Sequence, residues 1–112
     1  MIKIKIGHAS NNQVNFLEVK GHAGSAPYGK DLVCAAVSAL LTGGFNNLKN
    51  YKDYELKLDE GYALFKANAP LDAHDETVIE TIICGLTTVK ENDPEFIEIK
   101  TDTFFTSKEL EI

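Results

Sequence analysis

The stretch "GHAGSAPYGKDLVCAAVS", residues 21–38, contains a histidine and a cysteine twelve positions apart. Asp31 precedes a run of small and apolar residues in which a helix can start, and its side chain suits the N-cap position. Cys34 then falls in the first turn of that helix, where the open backbone N–H groups and the positive end of the dipole stabilise a thiolate. His22 closes an alternating segment, and the glycine-rich loop between the two can fold back to bring imidazole to thiol. A Cys–His pair is the minimum for nucleophilic acyl transfer, and helix N–H groups can serve an oxyanion. The same residue types have a plain structural reading as well. A cysteine among apolar helical residues can be a small core side chain, and a histidine at a strand end can be surface.

The elements that must carry these side chains follow from hydrophobic periodicity. Residues 1–8 alternate Ile2, Ile4 and Ile6 with Lys3 and Lys5, as a half-buried strand does. "SNNQ" at 10–13 is a turn, and residues 14–22 alternate again through Val14, Phe16, Leu17 and Val19, which predicts a hairpin ending at Gly21 and His22. Gly24, Pro27 and Gly29 interrupt any regular structure over 23–29. The helix from Asp31 is apolar nearly all round, so burial on several sides is expected, and "TGG" at 42–44 is expected to weaken or kink it. A second hairpin spans Tyr54 to Phe65 with its turn at Glu60-Gly61, and ends by Pro70. Residues 72–92 place Val78, Ile79, Ile82, Ile83, Leu86 and Val89 on one helical face, with Asp72, Asp75 and Glu76 in the first turns, where the dipole favours anions. Asn92-Asp93-Pro94 stops this helix, and Phe96, Ile97 and Ile99 mark a last strand. The predicted order is ββαββαβ: a single α+β domain over 1–112, with a mainly antiparallel or mixed sheet and two helices packed against it.

Composition narrows the function classes. A net charge of −6 disfavours direct nucleic-acid binding, which needs a basic face, and favours a basic protein or peptide partner. No apolar run approaches the ~20 residues of a membrane span. The N-terminus reads as a strand rather than a signal peptide, which points to the cytoplasm and to reduced thiols for the two cysteines. The two cysteines and three histidines show no metal-ligand spacing, and "TGG" lacks the features of a phosphate loop. No cofactor is expected. A thiol redox protein would carry a C-x-x-C pair, which is missing. His8 and His74 have no partner pattern and read as surface.

Gly21-His22 followed by Gly29-Lys30-Asp31-Leu32-Val33-Cys34-Ala35-Ala36-Val37-Ser38 closely resembles the signature of the ribosomal-processing cysteine proteases. The chain length and element order also match that family. The resemblance implies a small homodimeric cysteine endopeptidase that removes an N-terminal extension from the large-subunit ribosomal protein L-twenty-seven during ribosome maturation. It implies Cys34 as nucleophile, His22 as general base, and the intervening loop as a cover over the site that orders on substrate binding. Gly21, Gly24, Pro27, Tyr28 and Gly29 are then lid or hinge residues. Asp31 is either a helix cap or a third catalytic member orienting His22. Ser38, one turn after Cys34, either supports the site or is a satisfied hydroxyl.

A different class of function fits the same features: a ribosome-associated module that binds the peptide without cutting it. Cys84 supplies an internal contrast. It lies mid-helix, away from the dipole's positive end, in the stripe Thr77, Thr81, Cys84, Thr88. Such a stripe of small residues is either an exposed polar face or a close helix–helix contact across a dimer axis.

Overall fold

The computed structural model describes residues 1–24, 26 and 31–102. Five strands and two helices follow the expected order: β1 (Ile2–His8), β2 (Val14–Lys20), α1 (Leu32–Asn46), β3 (Tyr54–Asp59), β4 (Tyr62–Ala67), α2 (Ala73–Asn92) and β5 (Ile97–Asp102), with a short 3-10 turn at Tyr51–Asp53. The strands form one mixed sheet in the order β3-β4-β2-β1-β5. Both expected hairpins are present, β1 with β2 and β3 with β4. β2 also pairs antiparallel with β4, and β5 runs parallel to β1, setting Ile97 beside Ile2 and Ile99 beside Ile4.

Alternation assigns the two faces of the sheet. Ile2, Ile4 and Ile6, Leu17 and Val19, and Ala63, Phe65 and Ala67 share one buried core with residues of both helices. On β2 Asn15, Leu17 and Val19 are buried and Phe16 is half-buried in the other phase, while Val14, beyond the register slip, packs partly against the core. The sequence of 14–19 is apolar in both phases, and the pairing with β1 and β4 decides between them. The register with β1 slips between Gly7 and His8.

α1 differs from expectation in two ways. It buries a single stripe, Val33, Val37, Leu41 and Phe45, at spacing four. Its outer side is exposed and composed of small residues such as Ala35, Ala39 and Gly43, together with Leu32, which is 81% exposed. The helix also runs without interruption through Gly43 and Gly44. Gly44 is there for packing: a Cβ at that position would lie 2.3 Å from Ile82 Cδ1, and one at Gly85 would lie 2.4 Å from Leu40 Cδ2. Each helix offers the other a side-chain-free notch, so the two axes come close. That benefit outweighs the roughly 1 kcal/mol that glycine costs inside a helix.

α2 is capped by Asp72, whose carboxylate accepts from Asp75 N–H at 2.8 Å. Asp75 itself is fully buried. Its carboxylate accepts from the Lys49 and Asn50 amides at 2.9 and 3.1 Å, from Asn50 Nδ2 at 3.0 Å and from the Tyr54 hydroxyl. These bonds fasten the connection between α1 and β3 to the start of α2. Nearby, the ring of half-buried His74 is hydrogen-bonded to Asn47 O at 2.9 Å. His8 Nδ1 likewise lies 3.2 Å from Asp102 O.

Burial alone would raise the Asp75 carboxyl above the usual carboxylate range. The donors from Tyr54, Lys49 and Asn50 outweigh it and hold the group below that range. Burial and then the Asp75 contact push the Tyr54 phenol well above its usual range. A carboxylate depressed in the folded state contributes stability that is fully present above its unfolded pKa and is lost as pH falls through the folded value. Asp75→Asn leaves buried donors facing an amide N–H2. It is expected to cost about 2–4 kcal/mol at neutral pH and to flatten the acid-side loss of stability. Urea midpoints near neutrality and at roughly pH 3 measure both effects.

Candidate active site

β2 ends where the chain must pass under the start of α1. Gly21 adopts φ +98°, and a Cβ there would come 2.5 Å from Met1 O, so both conformation and space call for glycine. Gly21 N–H donates to Gly61 O at 2.9 Å, and the Met1 amino group donates to His22 O at 2.8 Å. His22 is therefore held between Met1, just before β1, and the β3–β4 turn, with its side chain exposed. The methyl of Ala23 is buried in the core.

α1 starts at the expected position. Asp31 is its N-cap, with Oδ1 accepting from Cys34 N–H at 3.0 Å and its carbonyl accepting from Ala35 N–H at 3.0 Å. Cap geometry thus supports one of the two expected roles of Asp31, and it occupies the Cys34 amide. Cys34 is half-buried, and its Sγ accepts from Ala23 N–H at 3.2 Å. That donor and the first turn of α1 set the sulfur beside backbone N–H groups. Among the described residues, no hydrogen bond joins His22 to Cys34. Cys84 is exposed on α2 and lies in the middle of that helix.

Gly21, His22, Cys34 and Ser38 line one open cleft of about 500 Å³. Gly24, at φ +71°, is exposed and is not among the residues lining it. Pro27, Tyr28 and Gly29, expected as lid residues, lie outside the described residues. The sequence reading missed the opposite wall, which is the β3–β4 hairpin through Leu58, Asp59, Glu60, Gly61 and Tyr62. Glu60-Gly61 was legible as a turn, but its place beside His22 depends on the pairing of β2 with β4. Asp59 and Glu60 give this wall negative charge. On β4, the Tyr62 hydroxyl donates to Glu18 at 2.8 Å, a bond that raises the phenol above its usual range.

A thiol at a helix start, a histidine in the same cleft and a wall open to solvent suit attack on a peptide carbonyl. The family model of the Prp cysteine proteases matches residues 1–98. The chain belongs to the Prp family. Prp enzymes are cysteine proteases, and this chain is one of them. It is 29% identical over 110 residues to the ribosomal processing cysteine protease Prp of Bacillus subtilis, covering 91% of this chain and 98% of that one. Among solved structures, Prp from Staphylococcus aureus with a covalently linked product peptide superposes with a TM-score of 0.82 at 24% identity. The match covers 91% of this chain and all of that one, and it shows the shared fold. A Streptococcus mutans structure gives a TM-score of 0.76 at 33% identity, covering 92% of this chain and 95% of that one. Among the described residues no helix is long and apolar enough to cross a membrane.

The two roles for Asp31 make different demands. A cap needs only a short side-chain acceptor, whereas orienting an imidazolium needs the charge. Asp31→Asn is expected to keep peptide cleavage within a few-fold of the parent, while Asp31→Ala loses about 1 kcal/mol of stability. A large kcat loss in Asp31→Asn, with the melting temperature unchanged, would assign Asp31 to catalysis.

Proposed function

We propose that this Prp protease removes the N-terminal extension of the large-subunit ribosomal protein L-twenty-seven, with Cys34 as nucleophile and His22 as general base. The observation that carries the reading is the placement of the Cys34 thiol at the first turn of α1, in the cleft that His22 also lines. The name of the Bacillus subtilis relative supports ribosomal processing as the task. The Asp59–Glu60 wall supports a basic substrate, as ribosomal proteins are. A ribosomal substrate supports a cytoplasmic enzyme.

The reaction runs in two halves. His22 takes the thiol proton as Sγ attacks the scissile carbonyl carbon, and the carbonyl oxygen becomes an oxyanion beside the first turn of α1. The intermediate collapses with cleavage of the C–N bond, and the His22 imidazolium protonates the departing amine. A thioester remains on Cys34. Water, deprotonated by His22, then attacks that thioester and releases the extension as a carboxylic acid, returning the proton to the thiol. For the first proton transfer the Cys34 thiol, whose Sγ accepts from Ala23 N–H, turns into hydrogen-bond reach of the His22 ring. Gly21 fixes the backbone next to the base, and Ser38 supports the cleft floor one turn beyond the nucleophile.

Incubation with a peptide spanning the extension junction, followed by mass spectrometry, tests the activity directly. Cys34→Ala is expected to abolish cleavage with the fold intact, and Cys84→Ala to cleave like the parent. Cleavage by Cys34→Ala would remove the nucleophile assignment. Binding of the peptide by the parent without any cleavage would favour a peptide-holding module instead.

The enzyme is further proposed to act as a homodimer through its helical layer. Ala35, Ala39 and Gly43 leave the outer side of α1 small and uncharged, and Thr77, Thr81, Cys84 and Thr88 are exposed on α2. The Thr81 and Thr88 hydroxyls bond back to the carbonyls of Thr77 and Cys84, so their donors are satisfied within the helix. A close helix–helix contact uses such surfaces. Sedimentation at micromolar concentration is expected to give twice the chain mass; a monomer across the range excludes the dimer.

A further inference from the structure

We propose that Gly61, in the β3–β4 turn, is a positioning residue for the His22 imidazole; this rests on the reading of His22 as the general base. Gly61 has φ +73°, and the direction a side chain would take from it is filled by His22. The three nearest atoms to a Cβ built there are all in the imidazole: Nε2 at 2.9 Å, Cε1 at 3.3 Å and Cδ2 at 3.7 Å. The same residue's carbonyl accepts from Gly21 N–H, one residue before His22, at 2.9 Å. One turn therefore holds the base in two ways. It fixes the backbone that carries the ring, and its bare Cα supplies the surface on which the ring rests.

The ring needs such a surface. His22 is exposed, and an exposed side chain samples several rotamers on a fast timescale. A wall against one edge removes some of those orientations. The atom nearest the wall is Nε2, so a methyl group at 61 displaces a nitrogen that can exchange a proton. A shift of about 1 Å in a reacting group can lower a rate by up to roughly 100-fold. Substrate binding would change little, because the rest of the cleft wall is untouched.

Gly61→Ala also strains the backbone, since L-residues disfavour positive φ. A double-mutant cycle separates the two effects. Melting temperature is measured for the full-length parent, Gly61→Ala, His22→Ala and the double variant. Gly61→Ala is expected to lower the melting temperature less in the His22→Ala background, where the ring is gone and only backbone strain remains. With the junction peptide, Gly61→Ala is expected to lose roughly 10- to 100-fold in kcat, with KM within about twofold of the parent. An equal loss of melting temperature in both backgrounds overturns the inference, as does a parental kcat in folded Gly61→Ala. A parental kcat in His22→Ala is a separate failure: it overturns the general-base reading and the catalytic part of this inference with it.

Discussion

A fully buried carboxylate needs several donors, and Asp75 draws them from a segment that would otherwise have little to hold it. Residues 47–50 connect α1 to β3 and contribute one buried apolar side chain, Leu48, to the core. Their amides turn inward because Asp75 is there to accept them, and Tyr54 at the start of β3 is tied to the same oxygens. The position of β3 sets that of the β3–β4 turn, and the turn faces His22. A charge at the base of α2 is thus linked, through one loop and one strand, to the wall of the cleft.

The second constraint is the close crossing of the helices. Ile82 fills the notch at Gly44 and Leu40 the notch at Gly85, so α1 and α2 settle against each other at two reciprocal points. Together with the buried stripe Val33, Val37, Leu41 and Phe45, these contacts fix the axis of α1 over the sheet. Its first turn consequently overhangs the end of β2, which is where Cys34 meets the Ala23 amide. The outer side of α1 is left with small residues, which is why a helix so apolar in composition can be exposed along one side.

The cleft divides its chemistry between local and distant parts of the chain. Cys34 owes its setting to three residues of sequence, from the Asp31 cap to the first helical turn. His22 owes its setting to the first residue of the chain and to the distant turn at Gly61. In the structure the thiol is satisfied by a backbone donor while the imidazole rests on the hairpin. The two side chains share the cleft without being bonded. In the proposed mechanism the thiol turns toward the imidazole, a step the open wall permits.

Local physics made much of this legible in the sequence. Strict alternation in Ile2–Ile6, a Glu60-Gly61 turn between alternating runs, the 3.6-residue face of 78–89 and a capping Asp31 three residues before Cys34 all act within a few residues. These features gave the element order and placed the thiol at a helix start. The tertiary structure decided the rest. Leu17 and Val19 face the core rather than Phe16 because β2 is clamped between β1 and β4. Asp75 was legible as a first-turn anion, yet its donors lie 21 to 26 residues upstream. Gly43 and Gly44 read as a break, but only Gly44 meets Ile82, and no local pattern shows the partner helix. The hairpin wall beside His22 needs β4 to pair with β2 across an intervening helix and strand. Such pairings form because they bury one shared core, and that total is a property of the whole chain rather than of any window within it.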